Sequence, residues 1–145
     1  VIELSDVERM YLRNFLRDGE RHLNAAQVLF DHEFHDFSVL EACESILWNL
    51  DSLLLTVKIR TSKNSTAIAW FGKKFVMEGV YPKEFYEDLL FTYSVSRIAD
   101  SEFGGTITSD VAAKVLGIGK KFGEIVTYLR EFDTEPVRKP VEEVN

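Results

Sequence analysis

The chain predicts an all-α protein, an up-and-down antiparallel bundle of about five helices. Three observations carry that reading. Apolar residues recur at alternating steps of three and four over long stretches, helix starts and stops alternate at intervals that leave only short connections, and no stretch of comparable length alternates with period two. At 145 residues with 46% hydrophobic content, the chain can bury one substantial core, so one domain is expected over residues 1–132.

The first helix is expected to start at Ser5, which stands three residues before Glu8 in the capping-box relation, and to run to about Phe30. Its apolar stripe is Leu12, Leu16, Gly19, Leu23, Ala26 and Phe30. Ser38 with Glu41 reads as a second capping box that opens the next helix, which extends to about Ile59. This second helix is apolar on most sides, the pattern of an element covered by several neighbours, and is placed at the centre of the bundle. A polar loop over Arg60 to Ser65 leads to a third helix, Thr66 to Glu78. Gly79 suits the left-handed turn that closes it, and Pro82 suits the first turn of a fourth helix ending near Ala99. After Gly104-Gly105, Thr108 is a cap and Asp110 complements the positive end of a fifth helix. Val111, Val115, Ile118, Phe122, Ile125, Leu129 and Phe132 keep four-three spacing to its expected end. Residues 133–145, charged and containing Pro136 and Pro140, read as a disordered tail.

Charge narrows the function classes. A net charge of −7 opposes broad, sequence-independent nucleic-acid binding, which draws its affinity from lysines and arginines that displace phosphate counterions. The charges are segregated: six acids and no Lys or Arg lie between Asp31 and Asp51, and five bases and no acid between Ser52 and Phe75. Such blocks are solvated faces or opposed patches that guide association. Cys43 is the single cysteine, which forbids an intramolecular disulfide and reads as a small buried hydrophobe. No apolar run reaches the ~18 residues of a membrane span, and the first ten residues carry acids where a signal peptide carries bases. A cytoplasmic protein with no membrane contact is expected.

Chemistry concentrates on the fourth helix, where Tyr86, Leu90, Tyr93 and Arg97 share one face and the guanidinium offers five donors to an anion. Facing a packed bundle, Arg97 is expected to pair with Asp51 or Glu44 of the second helix. His32 and His35, with Asp31, Glu33 and Asp36, fall short of a metal site because no third His or Cys stands at useful spacing. His22 reads as a helix-surface residue. Gly117, Gly119 and Gly123 lie inside the fifth helix, so they speak for close packing against a neighbouring backbone, another subunit included, and not for a phosphate loop. Arg9, Arg13, Arg17 and Arg21 recur every four residues on the first helix, and Arg13 and Arg17 are the candidate partner contacts.

Three motifs follow one another between residues 70 and 110: Phe71-Gly72-Lys73, then Gly79-x-x-Pro82, then Arg97-Ile98-Ala99-Asp100. Together they resemble the HEPN superfamily, and most closely its small stand-alone prokaryotic members, with a resemblance covering roughly residues 5 to 130. Those members carry Arg-x-x-Ala-Asp-Tyr; here Ala99 and Asp100 stand one position early, Phe103 is the nearest aromatic, and Asn64 replaces a histidine that often begins the third helix. The ribonucleases of the superfamily place a polar residue after the arginine and a histidine five or six positions beyond it. Ile98 takes the first place, and residues 98–105 hold no histidine to shuttle a proton near neutrality. The resemblance therefore implies a catalytically silent member: a homodimer acting as a binding and assembly module without cofactors. Its partner among relatives is a minimal nucleotidyltransferase in a toxin and antitoxin arrangement, and its surfaces could hold a nucleotide or RNA. The alternative is a divergent metal-independent endoribonuclease, with Arg97, Tyr93 and Asp100 or Glu102 acting at a phosphate in a dimer cleft.

Overall fold

The computed structural model describes residues 2–132, which form five α-helices and no strand among them. The helices are α1 (Asp6–Asp31), α2 (His35–Leu55), α3 (Asn64–Phe71), α4 (Lys83–Ala99) and α5 (Ser109–Ile125). An all-α bundle is thus the architecture. The tail expected at 133–145 lies outside the described residues.

Contacts between α1 and α2 fall in descending register. Ser38 Oγ donates to the Ala26 carbonyl at 2.8 Å, Ser45 Oγ to the Gly19 carbonyl at 2.6 Å, and Phe15 packs on Trp48 with ring centroids 5.6 Å apart. The two helices are therefore an antiparallel hairpin, and small residues let them approach closely. A methyl on Gly19 would sit 2.4 Å from the Asn49 Oδ1. The Ser5–Glu8 capping box forms at the start of α1, and Lys58, bonded to Glu8 at 2.8 Å, with the Ser5 amide, holds the Glu8 carboxyl down to about 2.

The second capping box does not form. α2 begins at His35 behind a three-residue link, and Phe34 at its cap supplies no side-chain bond. Ser38 is instead buried one turn inside the helix and spends its hydroxyl on α1, while Glu41 turns to His22. Packing between helices outcompetes the local cap.

The third helix passes from α form into a π-helical segment, Gly72–Val76, before Gly79 closes it at φ 79° as expected. Pro82 is the cap of α4 and not a residue of its first turn. Thr108 caps α5 by accepting from the Val111 amide at 3.2 Å. The regular helix ends at Ile125, short of the expected Phe132, and residues Thr127–Phe132 tighten into a 3₁₀ stretch that still buries Leu129.

The core has two ends of different width. Toward one end, Ala26, Val39, Ala42, Val95, Ala112 and Val115 bring α1, α2, α4 and α5 together on small side chains. Toward the other, Leu12, Leu16, Leu50, Leu53, Phe71 and Phe122 fill a wider space. Phe122 is fully buried, 5.8 Å from Phe71 and 5.7 Å from Phe85 by ring centroid, so it ties α5 to α3 and α4. α3, only eight residues long, packs on the Leu53–Leu55 half of α2. The outward face of the other half, Leu40, Glu44 and Leu47, is left partly uncovered. That gap is where the groove lies.

The glycines of α5 have an internal explanation. Cβ atoms on Gly119 and Gly123 would lie 3.0 and 3.6 Å from the Leu23 side chain, so the two form a socket for a leucine of α1, whereas Gly117 faces open space. The expected neighbouring backbone, another subunit included, is thus a side chain of the same chain at two of the three positions. Phe122→Ala should cost about 3–5 kcal/mol, read from urea denaturation of the full chain, because it removes the ring shared by three helices.

Candidate functional site

A groove runs along the uncovered face of α2, formed by two cavities of about 550 and 300 Å³ that share Glu44, Leu47 and Asn64. Its floor from Leu40 to Asp51 is about 16 Å long at the helical rise. Residues of α4 wall the smaller cavity, with Phe15 of α1 and the 59–62 connection beside the larger one.

Tyr93, Arg97 and Asp100 come together in the smaller cavity, facing Glu41, Cys43 and Glu44. Tyr93 and Arg97 stand about one turn apart on the same side of α4, and Asp100, the cap beyond its last residue, joins them in the cavity. Two residues expected with them are elsewhere. Tyr86 lies with its ring against Gly72, 3.0 Å from where a methyl would be, and Glu102 is exposed in the turn beyond α4. Leu90 is 44% exposed.

The expected ion pair of Arg97 with Asp51 or Glu44 does not form among the described residues within 4 Å. The physical reason is placement: Arg97 stands in the last turn of α4, exposed to water, and hydration removes the penalty that would force a partner on a buried charge. Asp51 belongs to the larger cavity with Arg60, whose guanidinium lies 3.7 Å from the Tyr11 ring centroid. Burial pushes the Asp51 carboxyl up to about 6, and the Arg60 charge only partly offsets it. Burial likewise raises the Cys43 thiol above its ordinary range, which suits a packed hydrophobe more than a nucleophile.

No histidine lines either cavity, but one stands behind the smaller. His22 Nδ1 is 2.5 Å from Glu41 Oε2, so the imidazole of α1 is tied to a carboxylate that does line the cavity. Sequence spacing gives no hint of this pair; only the antiparallel register of α1 and α2 brings positions 22 and 41 together. Trp48 reaches the larger cavity through the same packing, and Asn64, the first residue of α3, lines both cavities. His32 Nδ1 donates to the Val28 carbonyl at 2.8 Å, and His35, the first residue of α2, packs against Phe30 of α1 with ring centroids 5.6 Å apart, its Nδ1 buried without a partner among the described residues. No group of three or more His, Cys, Asp or Glu among the described residues is placed to hold a metal. On α1, Arg17 is exposed and 3.3 Å from Asp18, while Arg13 is half-buried and already engaged.

Fold and groove together define a small helical bundle with a polar, partly aromatic cleft along its central helix. None of the described helices is long and apolar enough to cross a membrane. No protein-family model matches the chain, and no solved structure does. The chain is similar to a protein of Methanocaldococcus jannaschii named "Putative toxin MJ0142", at 28% identity over 111 residues that span 77% of this chain and 76% of that protein.

Asp51 offers a direct check on the groove's electrostatics. Its folded-state value lies above that of an unfolded aspartate, so its burial destabilises the protein as pH rises from about 4 to 6 and the cost is full above that. Asp51→Asn should therefore raise the thermal midpoint at pH 7.5 and leave it nearly unchanged at pH 4.

Proposed function

We propose that this chain is a HEPN-type member of a toxin and antitoxin pair that works by binding, as a homodimer joined through the α2/α4 groove and serving as the scaffold for a partner protein. The name of the archaeal relative supports the toxin class, and the order of motifs between residues 70 and 110 supports the HEPN assignment. A minimal nucleotidyltransferase is the partner that resemblance favours, and Arg17 on the exposed face of α1 is a candidate contact for it.

One observation carries the binding reading. Arg97 stands in the same cavity as Glu41, Glu44 and Asp100, and among the described residues no ion pair consumes it and no imidazole lines the cavity beside it. Along the whole groove four carboxylates, Glu41, Glu44, Asp51 and Asp100, outnumber the guanidiniums of Arg60 and Arg97. That balance disfavours a phosphate chain there; a second copy carries the same excess of carboxylates, but unlike a phosphate chain it also brings an arginine to these acids, along with acids for Arg97. Leu90 and Ile98, 44% and 45% exposed on α4, add apolar surface around the charges.

Charge reversal tests the reading. Arg97→Glu and Glu44→Arg, each alone, should weaken self-association by about 2–5 kcal/mol, at least about 30-fold in Kd, while circular dichroism keeps its helical signature. An equimolar mixture of the two variants should recover the pairing in sedimentation equilibrium. A wild-type chain that remains monomeric at high concentration would refute it.

A second reading, a divergent metal-independent endoribonuclease, is favoured by Asp51. A carboxyl near 6 exchanges its proton close to neutrality and can serve as a general base where the expected histidine is missing. On this reading cleavage of mixed RNA rises with pH through about 6 and disappears in both Asp51→Asn and Arg97→Ala. Wild-type protein no more active than Arg97→Ala retires the enzyme.

A further inference from the structure

Asn49 lies on the opposite side of α2 from the groove and is only 3% exposed, yet its side-chain amide makes no hydrogen bond among the described residues. Its amide atoms are not sealed in either: they open into a third cavity of about 320 Å³ between α1 and α5. The amide's unspent donors and acceptor therefore face a space that water or a ligand can occupy.

The surroundings are built around that amide. Gly19 sits directly over it, and any side chain at position 19 would collide with the amide oxygen, 2.4 Å from the first added carbon. Across from it, Leu23 seated against Gly123 of α5 gives an apolar wall. The result is a slot whose polar end is one carboxamide. The other polar groups at the rim are spoken for or balanced. Thr127 Oγ1 donates to the Gly123 carbonyl at 3.1 Å, Arg130 is bridged to Glu20 at 3.1 Å, and Lys120 stands opposite Glu124 in sign. Such a rim asks for no net charge from whatever enters.

We propose that this slot binds a small neutral planar molecule presenting an adjacent donor and acceptor, an adenine-type edge or a primary carboxamide, which the Asn49 amide meets with two parallel hydrogen bonds. The pairing of an asparagine amide with the exocyclic amine and ring nitrogen of adenine is the best known case of this geometry, and a carboxamide satisfies the same two positions. A volume near 300 Å³ is at the small end of ligand pockets, fitting a single base or a pyridine carboxamide in place of a larger cofactor. The site stands apart from the Arg97 groove, so it does not depend on that groove's role.

Titration of the isotopically labelled full chain with adenosine and, separately, with nicotinamide tests this by NMR. Saturable shifts in the millimolar range or below are expected for at least one probe, at the Gly19, Leu23 and Gly123 amides and at the Asn49 side-chain amide. Response to adenosine alone assigns the base edge, and response to nicotinamide alone assigns the carboxamide. Asn49→Leu exchanges an unbonded amide for an apolar group of similar size; it should fold and lose the response at least tenfold. Absence of saturable shifts with both probes, or an unaltered response in Asn49→Leu, would mean that water alone meets the amide and would overturn the proposal.

Discussion

Everything in this molecule is arranged around the need to cover α2. Twelve of its 21 residues are buried, and its apolar positions run almost all the way round, so no single neighbour can shield it. α1 takes one side through a seam of small residues, α5 and α4 take the next, and α3 takes half of what remains. α1 and α5 are amphipathic and carry clean apolar stripes, whereas α2 does not. The groove exists because α3 is too short to finish the task.

That origin explains the groove's character. Its floor is the leftover face of a buried helix, so it mixes Leu40 and Leu47 with carboxylates that can stay only where water reaches them. Asp51 marks the boundary: it is buried enough for its proton affinity to rise to about 6, while Glu44, about two turns earlier on the same face, is exposed. A cleft of this composition is suited to a protein surface with opposite charges. The same helix offers a different chemistry on its far side, where close approach of α1 leaves Asn49 beneath a glycine with an unspent amide.

Local signals proved reliable where they had no competitor. Ser5 with Glu8, Gly79 and Thr108 all do what their side chains or backbone freedom suggest, because nothing at these positions draws the capping groups away; Lys58 binds Glu8 without displacing its bond to the Ser5 amide. Ser38 with Glu41 carries the same capping pattern and fails, because Ser38 meets an α1 carbonyl and Glu41 meets His22. Tyr86 obeys the helical spacing that groups it with Tyr93 and Arg97, yet the bare backbone at Gly72 draws its ring to α3 instead.

The chain alone determined the number and order of the helices, the central position of α2 and the placement of Tyr93 and Arg97 on one face of α4, because periodicity and capping are encoded within one or two turns. Only the tertiary structure decided that Arg97 goes without Asp51, that a histidine reaches the cavity's edge through Glu41, and that Asn49 opens into a slot. Those outcomes depend on the register and separation of neighbouring helices. Register is set by small residues and burial acting between segments distant in sequence, and no spacing within one segment can express it.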